Sequence, residues 1–386
     1  MEDLKQKVIL QIIPSLESGG VERGTIDIAK ALKNQNFFPI VISSGGVLTY
    51  DLKEAKIHHF ELNVKSKNPL TIFLNIKKIA QIINEHKVDL VHVRSRAPMW
   101  SAYYACRETK TKLISTIHGT YSLGFLFWKN FSLKKLYNSI MFRANSVIVV
   151  SNYIKNYLSR NYKENFTNSV EVIQRGVELQ YFNQEKVSKN RVIELIKKWN
   201  LPEDKKTILM PARFTSWKGH EFLIDSLTKV KNDFFCVMVG SDHGHKKYRK
   251  KIEQKIVRDN LASKVRIVDA FRDMPAAYRL CHFVVAPSVR PEAFGRVAIE
   301  AQASSKIIVA TKIGGALETI IDEETGFLVE PFDTEALAKA IDKILEMSKE
   351  EINKFGLAGR KNVEDNFSND SMCQKTIEVY KRLLIS

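Results

Sequence analysis

Apolar residues in this chain gather in short runs, separated by longer stretches where they recur every three or four positions. Val8–Ile13, Pro39–Ser43, Leu90–Val93, Leu113–Ile117 and Val147–Val150 read as strands buried on both faces. Thr25–Lys33 and Leu70–Glu85 lie between them and read as helices. This alternation predicts a parallel sheet with crossover helices. The pattern restarts at Thr207–Met210, Phe235–Val239, Val265–Val268, Phe283–Ala286 and Ile307–Ala310. Between the two series Glu178–Lys206 is polar and charged, with a short helix near Arg191–Trp199, so a domain boundary is expected near residue 185. The fold class is therefore α/β, with parallel-sheet domains over 1–185 and 186–368 and a last helix from about Asn369 to Leu384. At 386 residues and 44% hydrophobic, the chain can bury two cores.

The densest candidate chemistry lies in Pro291–Ala301. Glu292 sits in a Pro/Gly-containing loop and Glu300 inside a periodic helix, eight positions on. A helix of that length rises about 12 Å, and the intervening loop shortens the span. A helix N-terminus at Gly295 would offer free N–H groups and partial positive charge to an anion. Carboxylates accept hydrogen bonds from sugar hydroxyls, so the stretch suits a ligand carrying both hydroxyls and phosphate. Taken alone, it fits an acidic cap and a solvated helix glutamate equally well. A second element favours the ligand. Thr207–Arg213 reads as a strand running into a loop, with a helix following over about Glu221–Val230. Arg213 would lie just past the strand's C-terminal end, where open α/β sheets bind ligands, and Lys218 at the helix start. An arginine fork and a lysine point charge suit a diphosphate.

Arg213, Lys218-Gly219 and the Glu292/Glu300 pair together resemble the retaining glycosyltransferases of family 4. Ile13-Pro14 and Ser18–Arg23 look like that family's first strand and glycine-rich loop, and Ser115–Gly119 like the strand ending in its active-site histidine. Ile173–Glu178 is similar to the segment closing the first domain, and Gly314-Gly315 and Thr325–Val329 to late signatures of the second. The resemblance implies the glycosyltransferase-B fold: two Rossmann-like domains facing across a cleft, the first taking the acceptor and the second the donor. Helix 369–386 would pack back on the first domain. The donor would be a nucleotide diphospho-sugar acting as co-substrate, with no cofactor. Glu300 would grip the ribose. Glu292, beside Ala293, Phe294 and Gly295, would hold donor-sugar hydroxyls. Arg213 and Lys218 would stabilise the departing diphosphate. Gly19 and Gly20 would allow close approach of the backbone, and His118 would act near the reacting sugar. The backbone of Phe271–Met274, including Arg272 and Met274, would meet the base. A nucleotide-sugar epimerase on the same fold is the alternative.

Other features bound this reading. No Asp-x-Asp pair occurs, and Asp242-His243-Gly244-His245 lacks further paired ligands, so no metal site is expected. The loop Gly19–Gly24 is not Gly-x-Gly-x-x-Gly, and Ile42–Gly45 lacks the acidic residue of a dinucleotide site, which argues against a dehydrogenase. Net charge is +17, and residues 101–150 hold 7 basic residues against 1 acidic. Leu123–Trp128 is strongly apolar, and Leu133, Leu136, Tyr137, Ile140 and Met141 follow helical spacing, with Lys134, Lys135 and Arg143 elsewhere. Residues 123–143 thus fit docking on an anionic membrane surface, or a core helix with a solvated basic edge. The first reading suits a glycolipid or glycan acceptor of the cell envelope, such as lipopolysaccharide core or O-antigen. The run His245–Lys251 reads as a solvated helix face. No zinc-finger, RNA-recognition or helix-turn-helix pattern accompanies the charge, so no nucleic-acid partner is expected. Cys106, Cys236, Cys281 and Cys373 are scattered, no apolar run approaches a membrane span, and Met1–Lys7 lacks a signal-peptide pattern. A cytoplasmic protein, peripheral at the inner face of the cytoplasmic membrane, is the expectation.

Overall fold

The computed structural model describes residues 6–17, 19–121, 133–162, 169–242 and 244–385. They form two compact units: residues up to Gly176 together with Asn369 onward, and Val177–Ser368.

The first unit comprises β1 (Val8–Ile12), α1 (Gly20–Asn34), β2 (Phe38–Ser43), α2 (Thr49–Glu54), β3 (His58–Glu61), α3 (Pro69–Glu85), β4 (Leu90–Val93), α4 (Arg96–Thr109), β5 (Lys112–Ile117), α5 (Leu133–Ser139), β6 (Ser146–Val149), α6 (Asn152–Asn161) and β7 (Ser169–Val172). Its parallel strands are ordered β3-β2-β1-β4-β5-β6-β7. Central strands read as apolar runs because helices cover both faces; all four residues of β4 are buried. Ile9, Ile114 and Ile148 of the sheet pack with Ile28 and Leu32 of α1.

The second unit comprises α7 (Lys189–Trp199), β8 (Lys206–Pro211), α8 (His220–Leu227), β9 (Phe234–Val239), α9 (Lys246–Arg258), β10 (Val265–Val268), α10 (Met274–Leu280), β11 (Phe283–Ala286), α11 (Arg296–Ala303), β12 (Ile307–Thr311), α12 (Ala316–Thr319), β13 (Gly326–Val329), α13 (Thr334–Glu346) and α14 (Lys349–Asn366). Its parallel order is β10-β9-β8-β11-β12-β13. Both sheets are Rossmann-like, and each reverses winding once, between β1 and β4 and between β8 and β11.

The last helix, α15 (Asn369–Ile385), belongs to the first unit. Met372, Ile377 and Tyr380 enter its core beside Ile9 and Leu32. The His92 ring lies 2.5 Å through Nδ1 from the Tyr380 hydroxyl and 2.6 Å through Nε2 from the Thr116 hydroxyl.

Three strands lie outside the expected set, and all are sheet edges. β3 is His-His-Phe-Glu, β7 is Ser-Val-Glu-Val and β13 opens on glycine. An edge strand has one pairing neighbour and less cover, so it needs no apolar run. The division between units falls at Gly176/Val177 rather than near 185. Residues 178–187 are tied to the second unit. The Tyr181 hydroxyl donates to the Arg272 carbonyl at 3.1 Å, and Arg279 donates to the Gln184 carbonyl at 2.7 Å and to that of Val187. A polar composition hid this anchoring, because the bonds go through backbone carbonyls.

Among the described residues no helix is long and apolar enough to cross a membrane. Residues 122–132, which include Leu123–Trp128, lie outside the described residues, as do Ser18 and His243. The remaining periodic positions of 123–143 split. Leu133 and Leu136 are exposed, but α5 stops at Ser139, and a 3₁₀ turn carries Ile140 and Met141 into the core. These two belong to packing, which corrects the single amphipathic face read from spacing.

Candidate active site

In the second unit the loops after β8 and β11 meet at the reversal of winding. Arg213 follows β8 and is exposed, with no side-chain hydrogen bond or ion pair among the described residues. A 3₁₀ turn over Ser216–Lys218 comes next, and the chain enters α8 through Gly219 at φ +79°. A Cβ there would stand 1.8 Å from the Pro287 carbonyl oxygen, so only glycine lets the two loops touch. The Val289 amide donates to the Trp217 carbonyl at 2.9 Å and locks them together.

This contact delivers Lys218 to Glu292. Lys218 Nζ lies 2.7 Å from Glu292 Oε1, with the side chains 11% and 20% exposed. The same oxygen accepts from the Ser288 hydroxyl at 2.5 Å, and the Ser288 carbonyl accepts from the Thr311 hydroxyl at 2.6 Å. Gly315 N donates to the Glu292 carbonyl at 2.9 Å. A Cβ on Gly315 would stand 2.4 Å from Phe294 Cα, which explains the glycine pair after β12: that loop lies directly on the Glu292–Phe294 backbone.

Helix α11 begins after Gly295, in a left-handed conformation with no side-chain cap. The first-turn N–H groups therefore lack a side-chain acceptor. A pocket opens there, lined by Ser288, Glu292, Gly295, Val297, Thr311 and Ala316. Ala293 is half-buried and Phe294 buried. Glu300 lies further along α11. Its Oε2 accepts from the Tyr278 hydroxyl at 3.1 Å and its Oε1 pairs with Arg296 Nη2 at 3.0 Å. Burial holds the Tyr278 hydroxyl protonated well beyond the usual phenol range, so it remains a donor.

Arg272 and Met274 flank Asp273 at the start of α10. Asp273 caps that helix through the Ala276 amide and pairs with Arg191 through Nε at 2.8 Å, which lowers its carboxyl pKa. The Arg272 carbonyl is already engaged by Tyr181. His220 is fully buried, stacked on Phe214 at 4.6 Å between ring centroids, and neither ring nitrogen makes a well-formed hydrogen bond. Burial above all, and then Lys218, pull its pKa down to about 4. Unfolded imidazole protonates near pH 6.5, so this ring withholds stability as pH falls from about 6.5 to 4. Melting temperatures recorded across that window should drop less steeply for His220→Phe than for the wild type; parallel curves would clear His220 of the effect.

In the first unit α1 starts at the glycine pair, with Gly19 as an N-cap that supplies no side chain. Gly19 is extended, at φ −162°, and a Cβ there would meet only the tip of Glu22, so the fold itself does not require glycine. The buried Arg175 donates to the Gly20 carbonyl. Its Nη1 lies 3.5 Å from His118 Nδ1. Guanidinium can only donate, so Nδ1 is the acceptor and the His118 proton resides on Nε2. That atom is out of solvent contact and has no hydrogen-bond partner among the described residues. Burial, then Arg175 and Arg94, push the His118 pKa well below the usual imidazole value, so the ring is neutral at pH 7.

The second unit thus joins Lys218 to Glu292 beside the pocket at Gly295, with Arg213 in the loop after β8 and Glu300 further along α11, and in the first unit Arg175 links Gly20 to His118. The sequence reading left Glu292 and Glu300 open for hydroxyls, but Lys218, Ser288, Tyr278 and Arg296 already hold them. Arg296 was legible as the i, i+4 partner of Glu300. Ser288, Thr311 and Tyr278 carried no local signal, and Arg175 lay inside Ile173–Glu178 with nothing in the spacing to give it a partner.

Paired Rossmann-like domains, with cations and carboxylates at the strand ends of the second, define a glycosyltransferase of the B fold. The family model for glycosyl transferases group 1 matches residues 192–362, and that for glycosyltransferase family 4 matches residues 18–181. The chain is 30% identical to an uncharacterized glycosyltransferase of Methanocaldococcus jannaschii, over 98% of each protein. It is 25% identical to the capsular polysaccharide biosynthesis glycosyltransferase CapM of Staphylococcus aureus, over 99% of this chain and 98% of that one. A solved glycosyltransferase from Rickettsia africae superposes with a TM-score of 0.89 at 42% identity, covering 98% and 99% of the two chains. The protein belongs to the group 1 glycosyl transferases of family 4.

Proposed function

We propose that this transferase moves a sugar, with retention of anomeric configuration, from a nucleoside diphospho-sugar to an envelope glycan or lipid-linked acceptor. Residues 177–368 take the donor and the first domain takes the acceptor. The observation that supports this reading is the Lys218–Glu292 pair beside the uncapped start of α11, where the loops after β8 and β11 meet at the reversal of the second sheet. In this scheme Glu300, aimed by Tyr278 and Arg296, accepts from the ribose diol. The base stacks near the Arg272–Met274 backbone. The diphosphate draws Lys218 from Glu292, joins Arg213, and faces the N–H groups after Gly295. Glu292 and the adjoining Ala293–Phe294 backbone then meet the sugar hydroxyls. Gly19 and Gly20 bring backbone close to the phosphate, and His118, neutral with its proton on Nε2, acts near the reacting sugar. The acceptor hydroxyl attacks the anomeric carbon on the face the diphosphate leaves. The acceptor's proton passes to that diphosphate as the old bond breaks. Arg213 and Lys218 neutralise the leaving group, so turnover persists in a metal chelator.

The S. aureus relative's part in capsular polysaccharide biosynthesis supports an envelope glycan as acceptor class, with lipopolysaccharide core or O-antigen as the forms to try. The charge of +17 supports work at an anionic inner-membrane surface, with the protein otherwise in the cytoplasm. The test is a thermal-shift panel of UDP, GDP, ADP, CMP and their sugars, without added metal, on the wild type and Glu300→Gln. One nucleoside diphosphate should stabilise the wild type, with affinity at least about tenfold weaker in the variant, since charge-assisted bonds are the ones lost. Equal affinity in a folded Glu300→Gln protein removes the ribose assignment. Silence across the panel removes the donor assignment altogether.

A further inference from the structure

Helix α3 is apolar on two sides. Its inward side buries Ile79, Ile82 and Ile83. Its outward side carries Leu70, Phe73 and Leu74, which are 67%, 54% and 49% exposed. Lys77 follows one turn on, its ammonium 5.3 Å from the Phe73 ring centroid. Positions 70, 73, 74 and 77 follow i, i+3, i+4, i+7, so they form one stripe along the helix. A surface helix ordinarily turns polar residues outward, and one that is apolar all round is covered all round.

Within the segment that carries this stripe the charge has one sign, with the exposed Glu61 and Glu85 at its two ends. Leu62–Asn84 contains Lys65, Lys67, Lys77 and Lys78, all exposed, and no Asp or Glu. The neighbouring α4, whose Ser101 hydroxyl donates to the Ile72 carbonyl of α3 at 3.1 Å, exposes Tyr104. Beyond it α5 exposes Leu133 and Leu136. An isologous contact with a second copy would set these lysines against their own kind. An apolar ridge edged with ammonium groups instead complements a lipid surface, with acyl chains for the ridge and anionic headgroups for the lysines.

We propose that the α3 face, formed by Leu70, Phe73 and Leu74 with Lys65, Lys67, Lys77 and Lys78, docks this protein on an anionic lipid surface. The inference rests on the membrane reading above but assigns it to a different segment from 123–143. Binding to vesicles is read without donor or acceptor, so its failure leaves the transferase reading standing. The experiment is co-sedimentation of the full chain with phosphatidylcholine vesicles, with and without phosphatidylglycerol. The wild type should bind only the anionic vesicles. Partition should fall at least about tenfold in L70S/F73S/L74S, through lost insertion, and about tenfold in K77E/K78E, through reversed charge. Unchanged melting temperatures and nucleotide-induced shifts in both variants would exclude misfolding. The proposal is overturned if the wild type stays in solution, or if both variants bind as it does. It is also overturned if L70S/F73S/L74S converts an oligomer to a monomer, which would make the ridge a self-association surface.

Discussion

Arg213→Ala should lower kcat about a hundredfold or more while leaving the melting temperature where it was. Stability is spared because the guanidinium is exposed and makes no hydrogen bond or ion pair among the described residues. Its place just past β8, at the reversal of the second sheet, offers it to a leaving diphosphate in the proposed reaction. Charge that develops on that group in the transition state is what a preformed cation stabilises, and removing one such group typically costs about 10²–10³ in rate. Steady-state kinetics on the folded variant decide the matter. A raised KM with kcat intact would mean uniform ground-state binding instead.

Lys218→Ala should cost as much in turnover and, unlike Arg213→Ala, should also destabilise the fold. Its partner Glu292 is only 20% exposed and, among the described residues, would be left with the Ser288 hydroxyl alone. Stranding a partly buried carboxylate costs about 1–2 kcal/mol here, below the range for fully buried pairs. Adding Glu292→Gln should recover most of that stability without recovering turnover, a split that a double-mutant cycle reads directly. Glu292→Gln alone should tighten binding of the bare nucleoside diphosphate, because Lys218 no longer has to leave an ion pair. Weaker binding of the diphosphate by that variant would refute the exchange of Lys218 between carboxylate and ligand.

Both predictions depend on contacts that residue spacing could not reveal. Lys218 and Glu292 are far apart in sequence and meet because Gly219 lets the Ser216–Lys218 turn lie on Pro287. Glu300 was legible as a helical carboxylate, but the buried Tyr278 that aims it comes from α10. His118 was legible as a histidine at a strand end. Its tautomer follows from Arg175, which arrives after β7, and its neutrality from burial first and then from Arg175 and Arg94. Helix α3 was legible from its period, but periodicity does not say which apolar side faces the core, since both sides read alike.

What the sequence determined by itself is the layered architecture. Strands buried on both faces must be apolar throughout, and helices between them must repeat every 3.6 residues, so two parallel sheets were written in one-dimensional pattern. The local chemistry of Pro291–Ala301 was equally readable, because a loop, a helix start and a helical glutamate lie within eleven consecutive residues. Tertiary structure alone decided the edge strands, the division at Gly176/Val177, the return of α15 to the first unit, and the partners of both glutamates. Each of these rests on a pairing between residues distant in sequence, through backbone hydrogen bonds or single side chains. Such pairings leave no periodic trace, and they form only once the sheets have brought the strand ends together.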